Sequence, residues 1–365
     1  MHVNYIELAD FRNYAGASCG FAPGANVLIG QNGQGKTNLL EAVYFLAAGK
    51  SFRTRTEREL IRFDAPCARI YGLFFSEGRD QKIEARITQG QKKALLLNGA
   101  RVKRAAELGG RLAAVLFSSE DLGLIRDTAA VRRRFLDLAI SQLRPKYAAA
   151  LADHQRLYTQ KVRILKDFRE KPSLLSTLDD FNIQLARAGA ALIYYRAAYM
   201  NKLERYARDI HAEFSGERLS LQYRTVKTIS DPTARPAELF ERLMEHQSTH
   251  RQAEIDAGLC LSGAHKDDFL ILINEISAKA YASQGQIRTA ALSIKLAERD
   301  ILRDDRGEHP LLLLDDVLSE LDAERQSFIL NRIQDGQVFI TCCEDGRIAE
   351  RTGGHVLRVE KGAVY

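Results

Sequence analysis

Residues 30–37 read GQNGQGKT. The spacing is G-x-x-x-x-G-K-[ST], the order of glycine, lysine and hydroxyl with which a chain wraps phosphate. The glycines let the backbone form a nest of N–H groups facing phosphate oxygens. A helix opening directly after the loop adds partial positive charge from its N-terminus. On the N-terminal side, Ala25 to Ile29 is an apolar stretch that ends at Gly30. On the other side, Leu39, Leu40, Val43, Tyr44 and Leu46 have helical spacing. Strand, loop and helix together separate a nucleotide site from an incidental glycine-rich turn. The motif therefore assigns nucleotide binding to Gly30, Gln31, Asn32, Gly33, Gln34, Gly35, Lys36, Thr37 and Asn38. Lys36 is expected at the β- and γ-phosphates of ATP and the Thr37 hydroxyl on Mg2+.

A second stretch, LLLLDDVLSELD at 311–322, complements the first. Four leucines make a buried strand, and Asp315 stands at its carboxyl end, where open α/β sheets bind ligands. Asp315 is the expected Mg2+ ligand, and Asp316 stands where a general base for the attacking water is needed. Read alone, the segment is equally a polar strand-to-helix turn with a capping residue. Lys36 and Asp315 are 279 residues apart. A simple phosphate-loop domain brings these motifs much closer, so a large insertion is predicted between them.

The insertion is visible as a change of texture. Residues 68–102 read as a strand meander with turns at 77–80, 89–91 and 98–99. From Arg132 to about Phe214 the pattern is mostly helical. Apolar residues from Leu178 to Phe214 step by three or four, predicting one long helix stopped at Ser215-Gly216. A shorter helix between Pro145 and Phe168 is expected to pair with it as a hairpin. Further strands are expected at 258–261, 269–273, 311–314, 338–340 and 355–359, with a helix over 286–302. The fold class is α/β: a phosphate-loop head from 1–125 and 255–365, interrupted by a mainly helical arm, 126–254.

Composition narrows the classes. The chain has 365 residues, 53 basic and 47 acidic, for a net charge of +6. No apolar run approaches the ~20 residues of a membrane helix. No secretory signal is expected at the N-terminus. The five cysteines are scattered without a CxxC pair. A disulfide framework or zinc site is therefore not expected, and a reducing cytoplasm is. The charge is uneven: residues 126–254 hold 23 Lys and Arg against 16 Asp and Glu. Arg132, Arg133 and Arg134 cluster, as do Lys161 and Arg163. Further basic stretches include Lys50, Arg53, Arg55 and Arg58, and Lys92, Lys93, Arg101, Lys103 and Arg104. Such clusters attract phosphates without reading sequence, so these residues are candidate DNA contacts. Taken one at a time, each reads better as part of a solvated helix face or an intrahelical ion pair; the summed bias points to DNA.

A third motif gives the class. Ser283-Gln284-Gly285-Gln286 opens the helix leading to the 311–322 strand. By itself it is an ordinary N-cap with Gln286 at the capping-box position. The order GxxxxGKT, SxGQ, LLLLDD, SELD is that of an ABC-type ATPase. Within that class FRNY (11–14), GQNGQGKTN (30–38), GKSFR (49–53), RRRFLD (132–137), GAHKDD (263–268) and ASQGQIRTAALS (282–293) resemble the bacterial RecF family nearly end to end. The resemblance implies an SMC-like head. In that class Ser283, Gln284, Gly285 and Gln286 of one subunit meet the nucleotide held by another, so ATP drives homodimerisation and hydrolysis releases it. It also implies DNA binding at duplexes and single-stranded gaps, and partnership with RecO and RecR in loading RecA. Arg12 and Asn13 recur close to the phosphate loop in such heads. No Q-loop glutamine is evident, and Thr341 replaces the switch histidine of ABC transporters. An ABC transport subunit would lack the basic arm. A cohesin-like protein would need far longer heptads than ~130 residues allow. A non-enzymatic scaffold would bind DNA alike with and without ATP.

Overall fold

The computed structural model describes residues 1–54, 56–102, 108, 111–343 and 346–365. Arg55, Lys103 and Arg104 of the basic stretches lie outside the described residues. The chain forms two compact units, Met1–Leu122 with Ile294–Tyr365, and Gly123–Ser293.

In the first unit the helix Lys36–Ala48 is apolar nearly all round, which suits a helix enclosed on every side. It packs in one core with residues of two six-stranded sheets, including Ile6, Ile70 and Phe74 from one and Leu28, Leu313 and Phe339 from the other. The first sheet is the expected antiparallel meander. It runs in the order Tyr14–Gly20, His2–Phe11, Cys67–Ser76, Arg79–Thr88, Ala94–Leu97, Ala100–Val102. The second has the order Ala363–Val364, His355–Glu360, Ala25–Ile29, Val338–Cys342, Leu311–Asp315, Ala114–Ser118, and all but its first pairing is parallel. Parallel strands are covered on both faces and read as unbroken apolar runs. Leu311 to Leu314 are at most 1% exposed. Register places the site: Asp315 pairs with Thr341, and Cys342 with Ile29 just before the phosphate loop. Both motifs thus end on the same carboxyl edge.

The second unit contains the expected hairpin. Leu178–Ser215 is a single helix of 38 residues, closed by Gly216 in the left-handed conformation (φ 68°). It packs against Pro145–Asp167 through Leu157, Ile164, Leu165, Leu178 and Leu185. A third helix, Pro236–Ala257, lies against the long one. Two expectations are corrected here. Residues 258–261 form a loop, not a strand. Gly258 (φ 63°) caps the third helix, and the buried Glu254 carboxylate accepts the N–H groups of Leu261 at 2.7 Å and Ser262 at 3.2 Å. The 255–293 segment, placed with the head by sequence, belongs to this compact unit. Its strand Asp268–Ile273 pairs along six residues with Leu219–Arg224, a strand the sequence reading passed over.

The helix Gln284–Arg306 starts in the second unit and continues in the first. Its expected apolar face is buried: Ile287, Ala290, Ala291, Ile294, Ala297 and Ile301 are each at most 4% exposed.

Candidate active site

The phosphate loop follows its strand without a break. Gly33 has φ 79° and Gly35 φ 122°. At φ 122° a side chain on Gly35 would be strained, and its Cβ would stand 2.7 Å from Asn13 Nδ2 and 2.9 Å from the Tyr14 hydroxyl, so glycine suits the position. Gly30 is pinned differently: a Cβ there would stand 2.2 Å from the Val359 carbonyl oxygen. Lys36 is buried and donates to the carbonyls of Gly30 and Gln31, the latter at 3.0 Å. Asn32 Oδ1 accepts from the Cys343 thiol at 3.1 Å.

The two motifs meet through hydroxyls. Thr37 Oγ1 donates to Asp315 Oδ1 at 2.8 Å, and Thr341 Oγ1 donates to the same oxygen at 2.9 Å. Burial pushes the Asp315 carboxyl above its usual range, against those two hydrogen bonds. A hydroxyl and a carboxylate oxygen on one spot suit Mg2+, which takes few protein ligands and completes its shell with phosphate and water. Among the described residues no group of three or more His, Cys, Asp or Glu forms a metal cage.

Asp316 lies on the exposed side of the same turn in a left-handed conformation, φ 56°. Its N–H donates to Thr341 Oγ1 at 2.8 Å, and Ser319 Oγ donates to its carboxylate at 2.8 Å. A non-glycine residue held there costs roughly 1–3 kcal/mol and is common at catalytic turns. Thr341, where a transporter has histidine, thus ties Asp315 to Asp316.

On the loop's other flank, Asn13 Nδ2 donates to the Gln34 carbonyl at 2.9 Å. Arg12, also left-handed at φ 54°, forks onto the Glu41 carboxylate with two bonds of 2.8 Å. Glu41, fully buried, is a site residue that the motif reading missed. Its signal was a carboxylate inside the apolar run LLEAVYFL.

The signature is a closed capping box. Ser283 Oγ accepts from the Gln286 N–H at 3.2 Å, and Gln286 Oε1 accepts from the Ser283 N–H at 2.9 Å. Gln284 and Gly285 form the intervening first turn of Gln284–Arg306. Tyr281, just ahead, is 78% exposed and is not core. In GAHKDD, Asp267 is wholly buried and accepts from Arg196 at 2.7 Å, Thr225 at 2.7 Å and Tyr223 at 2.5 Å. His265 packs on the ring of Tyr158, with Nε2 donating to the Cys260 carbonyl at 3.0 Å.

Two of the candidate DNA contacts, Lys161 and Arg132, are corrected. Lys161 is 0% exposed and 2.6 Å from Glu254, itself fully buried. Arg132 is buried and binds both Asp268 oxygens, at 2.6 and 3.0 Å. Buried in these pairs, neither charge is available to a phosphate. Arg133 is half-buried and donates to the Asp267 carbonyl. Arg134 and Arg163 are exposed.

Comparison with known proteins places this geometry. The RecF/RecN/SMC N terminal domain family matches residues 2–361. The DNA replication and repair protein RecF of Bacillus subtilis (strain 168) is 38% identical over 370 residues, an alignment covering 100% of both chains. The protein of that name from Clostridium tetani (strain Massachusetts / E88) is 36% identical over 365 residues, covering 99% of each. This chain belongs to the RecF family. The solved structure of the recombination mediator protein RecF-ATP in the RecFOR pathway matches with TM-score 0.93 at 32% identity, covering 100% of this chain and 97% of that one. The Smc head domain from Pyrococcus furiosus matches with TM-score 0.55 at 16% identity, over 100% of this chain and 95% of that one. That likeness shows this chain to have the SMC head fold. Among the described residues no helix is long and apolar enough to cross a membrane.

Proposed function

We propose that this RecF-family chain is an ATP-dependent, DNA-binding recombination mediator with ATPase activity. The observation that carries the reading is Thr37 and Asp315 meeting at 2.8 Å, with Lys36 behind them and Asp316 beside them on one strand edge. In this reading Lys36 exchanges the loop carbonyls for the β- and γ-phosphates. Thr37 and Asp315 hold Mg2+, which neutralises phosphate charge when bound. Asp316 orients the attacking water and takes its proton. Turnover is slow and stimulated by DNA.

Two copies close on two nucleotides, with Ser283, Gln284, Gly285 and Gln286 of each meeting the phosphates of the other. A helix N-terminus is suited to that task, since its N–H groups face an anion. Hydrolysis then resets the clamp. The relatives' names, DNA replication and repair protein RecF and recombination mediator in the RecFOR pathway, support the rest of the reading. The chain acts in the cytoplasm with RecO and RecR at gapped DNA and duplex junctions, helping RecA to load. Arg134 and Arg163 remain the candidate phosphate contacts. The Arg163–Asp167 pair is exposed, so exchanging it for a phosphate costs little.

The test is fluorescence anisotropy of a gapped duplex at fixed salt, with and without ATP, for the wild type and Lys36→Ala. ATP should tighten wild-type binding, and Lys36→Ala should lose both ATP binding and that gain. Equal DNA affinity with and without ATP in the wild type would favour the scaffold reading instead.

A further inference from the structure

Glu41 is a carboxylate at 0% exposure in the middle of an apolar helix. Burying a charge is costly unless it is paired, and an apolar replacement of similar volume is often at least as stable. Packing alone therefore gives no reason for glutamate here. Its partners supply one. Oε2 accepts from Arg12 Nε and Oε1 from Arg12 Nη2, each at 2.8 Å. Oε1 also accepts from Ser51 Oγ. That hydroxyl in turn accepts the N–H groups of Arg53 at 2.9 Å and Thr54 at 3.0 Å, which sets the turn after the helix. The Arg53 guanidinium stands 3.8 Å from Glu41 and donates to Asn38 Oδ1 at 2.7 Å. Asn38 donates to Asn13 at 2.8 Å, and Asn13 to the Gln34 carbonyl at 2.9 Å. One buried carboxylate is thus wired to both arginines and, through two asparagines, to the phosphate loop.

Beside this circuit lies a groove of about 1050 Å³, lined by Arg12, Asn13, Asn38, Arg53, Phe63 and Gln89 among others. Phe63 is 92% exposed. Asn38, one of its lining residues, directly follows Thr37 at the end of the phosphate nest. In the nucleotide reading, the ribose and base of a ligand whose phosphates fill the nest extend into this adjoining groove. Guanidinium planes and an aromatic ring are the groups that stack on a base.

We infer that Glu41 is a positioning residue that fixes Arg12 and Arg53 as a two-guanidinium clamp on the nucleoside half of ATP. The inference rests on the nucleotide reading of the loop above. It separates the two halves of the ligand: the nest holds phosphates without Glu41, and the clamp holds the nucleoside only with it.

Tripolyphosphate, which has the phosphates and no nucleoside, makes the test. Calorimetric titrations would compare ATP, ADP and tripolyphosphate against the wild type, Glu41→Gln, Arg53→Ala and the Arg12→Ala/Arg53→Ala pair. Glu41→Gln should weaken ATP and ADP about tenfold, the value of a charge-assisted bidentate contact. It should leave tripolyphosphate unchanged, and it should add nothing in the background lacking both arginines. Wild-type ATP affinity in Glu41→Gln overturns the inference. So does equal loss of ATP and tripolyphosphate, which is the mark of a collapsed loop. If Glu41→Gln does not fold, Arg53→Ala decides, and unchanged ATP affinity there is equally fatal. A wild type that binds neither ATP nor tripolyphosphate refutes the nucleotide reading itself.

Discussion

Two Asp-Asp pairs show how differently the same side chains are used. Asp267 and Asp268 lie inside the second unit. Burial pushes the Asp267 carboxyl up against the pull of Arg196, and Asp268 binds Arg132. Both are structural. Asp315 and Asp316 stand at a strand end, one half-buried beneath two hydroxyls and the other exposed with a left-handed backbone. Only the second pair is placed to meet a ligand and a water. Asparagine adopts the left-handed conformation as readily as aspartate, so Asp316→Asn removes the base without disturbing the turn. It should keep ATP affinity within about twofold while turnover falls about 10²–10⁴-fold, the usual worth of a general base. Steady-state hydrolysis and nucleotide titration on the same preparation check it. Wild-type turnover in Asp316→Asn would move the base elsewhere.

The helical unit should be sensitive to acid. Burial pushes His154 down to about 3 and His265 to about 4. His154 faces His265 and Arg196, and His265 faces Lys266, Lys161 and Arg133, all of which further oppose protonation. In the unfolded chain both imidazoles return to about 6.5. Below that pH the unfolded chain takes up protons that the folded one refuses. The stability is therefore complete above about 6.5 and is lost as pH falls toward 4. The slope approaches about 1.4 kcal/mol per pH unit for each histidine. Urea melts from pH 7 to 5 should show it, and His154→Gln should flatten it; an unchanged slope in that variant refutes the assignment. The same unit shows why sequence reading succeeds and fails. The 38-residue helix was visible because its period and its Ser215-Gly216 stop are local. The strand Leu219–Arg224 was passed over because its partner, Asp268–Ile273, is far along the chain. Lys161 and Arg132 read as surface charge because Glu254 and Asp268, which take them inside, are equally remote in sequence. The phosphate loop and the LLLLDD strand were readable for the opposite reason: glycine spacing and an apolar run ending in carboxylates are local patterns. Glu41 was not, since its arginine partners are fixed only by tertiary packing.

The signature and the phosphate loop lie in different compact units, and the proposed reaction needs two chains. Closure of two identical copies is self-complementary: if one signature meets the other's nucleotide, the reverse holds too. This yields a test that no single variant provides. Lys36→Ala alone should bind no ATP and stay open. Ser283→Arg alone should bind ATP but, with a bulky cation in the capping box, should fail to close on its partner. In a mixture, the mixed pair has one site with an intact Lys36 facing an intact Ser283, while the other site has lost both. Light scattering with ATP should then show dimer in the mixture and none in either variant alone. Hydrolysis should return toward half of the wild-type rate per mixed dimer if the two sites fire independently. A signature working within its own chain predicts no recovery, because each chain carries one broken part. Wild-type-like dimer in Ser283→Arg alone would equally remove Ser283 from the interface.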